Sequence, residues 1–305
     1  MKQTIPPADG GGHPTEGAAL DVGRLLTFFV EHGRNLPWRL PAAGPWAVLV
    51  SEFMLQQTPV VRVLPVFSAW MRRWPEPADL AADSAGEAVR AWGRLGYPRR
   101  ALRLHAAATA IAIAHGGSVP ETLPELLRLP GVGEYTARAV AAFAFGARTP
   151  VVDTNVRRVL SRAVRGADSL RETATAIDRR ELEAQLPVES ATAARFSAAL
   201  MELGALVCTA KAPACSRCPL ADRCAWRAAD YPAALPRRAV QTWAGTDRQV
   251  RGRIMALLRD GAQPIQRAAL DVVWPDQLQR QRCISSLVVD RLAVRLPDGS
   301  LTLPD

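Results

Sequence analysis

The sequence predicts a body built of helices alone, closed by a small α+β unit. Three observations carry that expectation. Across residues 18–227 apolar side chains recur at three- and four-residue intervals, as in Leu25, Phe28 and Phe29, in Val61, Leu64, Val66, Phe67 and Trp70, and in Leu102, Ala106, Ile111 and Ile113, the period that lines one face of a helix. No stretch there sustains the alternation of a strand, and Pro37, Pro59, Pro75, Pro98, Pro120 and Pro130 punctuate the helical runs. The third observation is a change of pattern near the C-terminus, where two short extended runs, 292–296 and 300–303, flank Asp298-Gly299, a strong hairpin signal.

Taken in order, residues 1–17 are rich in Pro, Gly and polar residues and read as a disordered tail. Residues 18–227 form the helical body, and 228–247, with Pro232, Pro236 and Gly245, read as a linker. Residues 248–260, 266–274 and 277–290 read as three short helices before the hairpin, a winged-helix-like arrangement spanning 248–305. Its arginines (Arg248, Arg251, Arg253, Arg280, Arg282, Arg291 and Arg295) suit DNA, and suit a solvated helix surface equally well.

With 305 residues, 49% hydrophobic and 22% charged, the chain has ordinary globular composition and length for about two domains. Lys plus Arg exceeds Asp plus Glu by 38 − 29 = 9, so a polyanion, nucleic acid before membrane, is the first partner to consider. No run of ~18 apolar residues suggests a membrane span, and no apolar core marks a signal peptide. The expected compartment is the cytoplasm, at the nucleoid, where disulfides are disfavoured. Only two of the 38 bases are lysines, Lys2 and Lys211. Arginine forms no imine, so Schiff-base catalysis has almost nowhere to occur.

Cys208, Cys215, Cys218 and Cys224 are spaced C-x6-C-x2-C-x5-C within a loop holding Pro213 and Pro219. Four thiolates so close converge on one metal centre in a reducing compartment. Zinc favours tighter pairs, so the gaps of six and five point to an iron–sulfur cluster. Lys211, Arg217 and Arg223 make the loop a positively charged tab suited to phosphates. Cys283 stands among apolar residues and reads as core.

Thr122-Leu-Pro-Glu125 is a capping box opening a short helix. That helix ends at Leu129-Pro-Gly-Val-Gly133, and a second runs from Glu134 to about Phe145. Gly131 and Gly133 let backbone N–H groups approach a phosphate at a helix start; an ordinary turn between helices is the alternative. Glu52 lies within Val48-Leu-Val-Ser-Glu-Phe-Met-Leu55. If buried, its desolvated carboxyl keeps a proton near neutrality, as a general acid requires; on the exposed stripe of an amphipathic helix it does neither. Asp153 lies where the apolar run Pro150-Val-Val ends and a helix begins, as a helix cap or as a functional carboxylate. One protonated and one ionised carboxyl group is the arrangement glycosidic cleavage needs.

Ser51-Glu-Phe-Met-Leu-Gln-Gln-Thr58, Leu95-Gly-Tyr97, Leu129-Pro-Gly-Val-Gly133, Val152-Asp-Thr-Asn-Val156 and the four-cysteine loop together resemble the MutY-like adenine DNA glycosylases of the helix–hairpin–helix superfamily, over residues 20–227. The resemblance implies a two-lobed all-α glycosylase with a [4Fe–4S] cluster on the four cysteines. It implies a monomer that releases adenine paired with 8-oxoguanine or guanine in double-stranded DNA. In it Glu52 is the acid that protonates adenine at N7, and Asp153 stabilises the oxocarbenium ion on the sugar. Gln57 and Tyr97 wedge into the duplex, with Thr58 and Leu95 beside them, while Trp38, Arg39, Leu55, Val60 and Glu202 surround the adenine. Tyr135 stands where bifunctional relatives carry a Schiff-base lysine, which implies a monofunctional enzyme. One feature departs from the family: 78 residues follow position 227, too few for the usual Nudix-like domain that helps read 8-oxoguanine. Either Thr58, Leu95 and Tyr97 of the catalytic lobe suffice for that reading, or the small C-terminal unit contacts the opposite strand in another way, in which case its deletion is expected to cut discrimination between 8-oxoguanine and guanine. Two competing readings are a thymine or uracil mismatch glycosylase, which generally lacks a carboxylate at position 52, and a cluster-bearing DNA-binding redox regulator, which leaves Glu52 and Asp153 without a purpose.

Overall fold

The computed structural model describes residues 20–168, 176–233 and 243–305; the tail at 1–17 lies outside the described residues. In chain order the helices are α1 (Val22–His32), α2 (Gly44–Leu55), α3 (Val60–Arg73), α4 (Pro77–Ala82), α5 (Ala85–Trp92), α6 (Arg99–Ala114), α7 (Leu123–Arg128), α8 (Glu134–Phe145), α9 (Thr154–Ala163), α10 (Ala176–Gln185), α11 (Ser190–Leu206), α12 (Ala225–Ala228), α13 (Asp247–Asp260), α14 (Arg267–Asp271) and α15 (Gln277–Val289). Strands β1 (Val294–Arg295) and β2 (Leu301–Thr302) pair antiparallel with Val294 opposite Thr302. No described helix is long and apolar enough to cross a membrane. The chain forms two compact units, each assembled from two separate segments.

One unit joins residues 20–34 to 150–168 and 176–233. Helix α11 is its spine, packed by α1 on one side and α9 on another. Leu25, Phe28, Val156, Leu160, Phe196, Leu200 and Leu203 fill the core between them. The α9–α11 crossing is so close that a Cβ on Gly204 would lie 2.7 Å from Asn155 Cβ and 2.8 Å from the Asn155 carbonyl. Only glycine fits there.

The other unit joins residues 35–149 to 243–305. Helix α2 runs Trp46 to Met54 with every residue buried, as expected of a helix apolar all round; it packs against α3 and α8. In α3 the buried face is Val63, Phe67 and Trp70, spaced i, i+4, i+7. Val61 lies about 200° round from Val63 and is exposed, and Ile113 stands in the same relation to buried Ile111. Both were expected on a core face; spacing alone does not say which of two overlapping stripes turns inward.

The C-terminal segment packs α13 against α15 and the strand pair, with Val250, Ile254, Leu258, Leu287, Leu292 and Leu301 inside. Cys283 is buried. The strands are shorter than their sequence runs, and Ile265 pairs with Leu301 through two backbone hydrogen bonds of 2.7 and 3.0 Å, a third extended partner that periodicity did not reveal. The same segment is fixed to α5 and α6. Arg90 donates to the Gly261 carbonyl at 2.8 Å and to that of Arg259, Arg99 pairs with Asp290 at 3.2 Å, and a Cβ on Gly86 would collide with the Pro304 carbonyl and with Leu303.

Candidate active site and cysteine loop

The first carboxyl group is Glu52, on α2 between buried Ser51 and Phe53 and itself 4% exposed. Of the two positions its sequence left open, the exposed stripe is excluded. The helix that carries it has no solvent face along that stretch, so the carboxyl group is held away from bulk water by the packing of α2 itself.

The second is Asp153, which caps α9. Its Oδ1 accepts from Val156 N at 2.7 Å and its Oδ2 from Asn155 Nδ2 at 2.8 Å. Burial pushes this carboxyl group above its ordinary pKa, opposed by those two hydrogen bonds and by Arg158. Asn155 Oδ1 in turn accepts from Arg158 Nη2 at 2.7 Å, and Arg158 donates to the carbonyls of Cys208 at 2.6 Å and Gly204 at 2.5 Å. A continuous chain of hydrogen bonds therefore runs from Asp153 to the cysteine loop. Being a helix cap does not compete with a role in a site: the cap fixes the orientation of the carboxylate.

The loop itself closes on α9 and α12. Arg162 donates to the Thr209 carbonyl at 2.7 Å, approaches Cys208 Sγ at 3.5 Å, and lies over the Trp226 ring at 4.6 Å. Cys208, Cys215, Cys218 and Cys224 line one cavity together with Leu203, Leu220 and Trp226. No three His, Cys, Asp or Glu side chains among the described residues converge on a single ion position. Four cysteines round a shared apolar cavity are a donor set that fits an iron–sulfur cluster. Burial pushes the Cys218 thiol up to about 11 and the Cys208 thiol up as well, so metal binding must displace their protons. Lys211, Arg217 and Arg223 are exposed on the outside of the loop.

The wedge candidates share a backbone feature. Gln57 and Tyr97 are exposed, and both are non-glycine residues at positive φ, 56° and 47°, a conformation that persists only where the surroundings impose it. What imposes it is Arg100. Its Nη1 donates to the carbonyls of Phe53, Met54 and Gln56 at 2.9, 3.0 and 2.5 Å, and its Nη2 to Thr58 Oγ1 at 2.9 Å and the Gly96 carbonyl at 3.0 Å. Thr58 Oγ1 also donates to the Leu95 carbonyl at 3.2 Å. One guanidinium thus staples the Gln57 turn to the Tyr97 turn; burial lowers its pKa to about 10. Sequence reasoning missed Arg100, and nothing in Tyr97-Pro-Arg-Arg100 distinguishes it from the exposed Arg99.

Thr58 and Leu95 are buried beneath these turns. Trp38 is buried edge-on to Phe67 at 5.0 Å, while Arg39, Leu55 and Val60 are partly exposed in the same unit. Glu202 lies in the other unit, fully buried, with Arg34 Nη2 and Nε on its two carboxylate oxygens at 2.7 and 2.9 Å. Between α7 and α8, Leu129 and Val132 are buried while Gly131 and Gly133 face outward. Gly131 has φ 78°, and a Cβ there would lie 2.6 Å from that of Arg103. Gly133 caps α8 without a side-chain bond, and Tyr135 is partly buried in the first turn.

Residues 50–186 match the HhH-GPD superfamily base excision DNA repair proteins, and 208–224 match the iron–sulfur binding domain of endonuclease III. The loop is thus an iron–sulfur binding loop. An adenine DNA glycosylase of Mycolicibacterium smegmatis is 53% identical over 280 residues, 92% of this chain and 94% of that protein. Among solved structures, a thermostable thymine-DNA glycosylase aligns with a TM-score of 0.61 at 27% identity, over 68% of this chain and 95% of its own. An endonuclease III trapped as a covalent intermediate with DNA shares the fold, with a TM-score of 0.58 at 23% identity, over 69% of this chain and 95% of its own.

The staple makes a direct prediction. Arg100→Met keeps the bulk but leaves buried carbonyls without donors, each a loss of about 1–3 kcal/mol. Thermal unfolding is expected to fall by more than about 5 °C; a shift within 1 °C would show that the two turns hold themselves.

Proposed function

The chain belongs to the adenine DNA glycosylases of the helix–hairpin–helix base excision repair superfamily, and from that membership we propose that it releases adenine paired with 8-oxoguanine or guanine by hydrolysing the N-glycosidic bond. The observation that carries the chemistry is the buried Glu52, 4% exposed on a helix with no polar face. Adenine is a poor leaving group until a ring nitrogen is protonated, and Glu52 delivers that proton to N7. Asp153, ionised and fixed by the Val156 and Asn155 bonds, stabilises the positive charge that develops on the deoxyribose. The base reaches them by leaving the stack, at a cost of a few kcal/mol, which Gln57 and Tyr97 offset by wedging into the gap. Trp38, Arg39, Leu55, Val60 and Glu202 form the surroundings of the extruded adenine, and Gly131 and Gly133 present α8 to a backbone phosphate.

A [4Fe–4S] cluster on Cys208, Cys215, Cys218 and Cys224 supplies the fold of the loop and the outward display of Lys211, Arg217 and Arg223 toward phosphates. With Tyr135 in α8 and two lysines in the chain, no imine forms and the backbone is left uncut. The enzyme acts as a monomer in the cytoplasm, at the nucleoid. Glu52 also favours this reading over excision of thymine or uracil.

Single-turnover assays on duplexes carrying A·8-oxoG, A·G, T·G and U·G, each followed by alkali, test the assignment. Release from the first two alone is expected; release from T·G, or binding without any release, overturns it. The pH dependence tests Asp153. Its folded pKa lies above the ordinary value, so the active, ionised form is lost as pH falls through that raised pKa. The acid limb of the rate is therefore expected above pH ~4. In Asp153→Asn that limb should vanish, with a rate at least ~100-fold lower; a wild-type limb retained in the variant assigns it to another group.

A further inference from the structure

Tyr97 is held on more than its own turn. Its ring, 49% exposed, lies beneath two guanidiniums: Arg100 Cζ is 5.6 Å from the ring centroid and Arg248 Cζ 5.4 Å. Arg100 in turn lies 5.2 Å from the centroid of buried Trp92, and Arg248 lies 5.1 Å from that of Trp243. An alternating column, Trp92–Arg100–Tyr97–Arg248–Trp243, therefore runs from the core of this unit to its surface. Its inner three members come from the helical body and its outer two from the C-terminal segment.

We propose that Arg248, seated by Trp243, is a positioning residue that sets the Tyr97 wedge, so that the C-terminal segment takes part in recognising the mispair. The proposal rests on the glycosylase reading above, in which Tyr97 enters the duplex. An exposed tyrosine on a turn at φ 47° gives up rotamer freedom when it inserts, and a ring already clamped has lost that freedom beforehand. A guanidinium over an aromatic face attracts the ring through its quadrupole and favours one orientation. The clamp is also rigidly mounted. Arg248 is in the first turn of α13, and the C-terminal segment is pinned to the helices on either side of Tyr97 by Arg90 on the Gly261 carbonyl and by the Arg99–Asp290 pair. Asp290 is held in addition by Arg251 at 2.5 Å. The start of α13 is tied down separately: Gln279 Nε2 donates to the Gly245 carbonyl at 2.9 Å, and Arg282 pairs with Asp247 at 2.8 Å. The C-terminal segment thereby acts through a residue of the catalytic body.

The test uses the full chain and two probes: a duplex with non-cleavable 2′-fluoro-deoxyadenosine opposite 8-oxoguanine, and the same duplex fully paired. Arg248→Ala and Arg248→Gln are expected to weaken binding to the first about fivefold, and the second by less than twofold, with Arg248→Lys restoring most of the loss because the cation is kept. In a Tyr97→Ala background Arg248→Ala should cost nothing further, since its effect passes through the ring. Arg248 and Trp243 are exposed, and Trp243→Leu, which keeps bulk without an aromatic face, carries the same expectation as Arg248→Gln. Equal weakening on both duplexes, or an additive loss in the Tyr97→Ala background, would make Arg248 a phosphate contact and overturn the proposal; so would no change on either duplex. Failure of the wild type to release adenine from A·8-oxoG would instead strike the reading on which the proposal rests.

Discussion

A carboxyl group inside a helix with no wet face is the constraint around which the proposed chemistry is arranged. Helix α2 is apolar through Trp46, Val48, Leu49, Val50, Phe53 and Met54 and packs on α3 and α8; moving Glu52 to water would require unpacking it. Burial of any carboxyl group away from water disfavours its charged form. In the proposed reaction the proton donor for the purine is placed by the packing of α2.

Asp153 combines burial with fixed hydrogen bonds. Its carboxylate is bonded to a helix N-terminus and to Asn155, and through Asn155 and Arg158 to the loop of Cys208. The composition explains how so much polar structure fits inside. With 36 of the 38 basic residues arginine, the chain places Arg100, Arg158 and Arg162 in buried positions, each bridging several carbonyls. A planar guanidinium carries five donors in a fixed fork, whereas an ammonium carries three on a flexible stem. Arginine here serves as internal cross-linking between loops as much as attraction for DNA.

How much of this was legible follows from range along the chain. Local chemistry reads well: the Cys208–Cys224 spacing, the Thr122 cap, the glycines of the α7–α8 turn and the Asp298-Gly299 hairpin each depend on a few neighbouring residues, and the helical class follows from periodicity. What needs the third dimension does not. Nothing local decides between a buried and an exposed Glu52, because an apolar run is compatible with a helix wet on one side. Val61 and Ile113 fell on the wrong stripe for the same reason. Arg100 is invisible because its partners, spread from Phe53 to Gly96, are, apart from the Thr58 hydroxyl, backbone carbonyls, which carry no signature in sequence. The column of Tyr97, Arg248 and Trp243 joins positions about 150 apart, and only the packing of the C-terminal segment on α5 and α6 brings them together.

The most direct test of the central claim is the single-turnover rate of adenine release by Glu52→Gln, with its folding checked by thermal melting. Glutamine fills the same space and has no proton to give. The account predicts a rate at least ~100-fold below that of the unaltered enzyme in a protein that still melts cooperatively and still binds the mispaired duplex. A rate within about twofold of the unaltered enzyme would contradict it, and the proton would have to come from elsewhere.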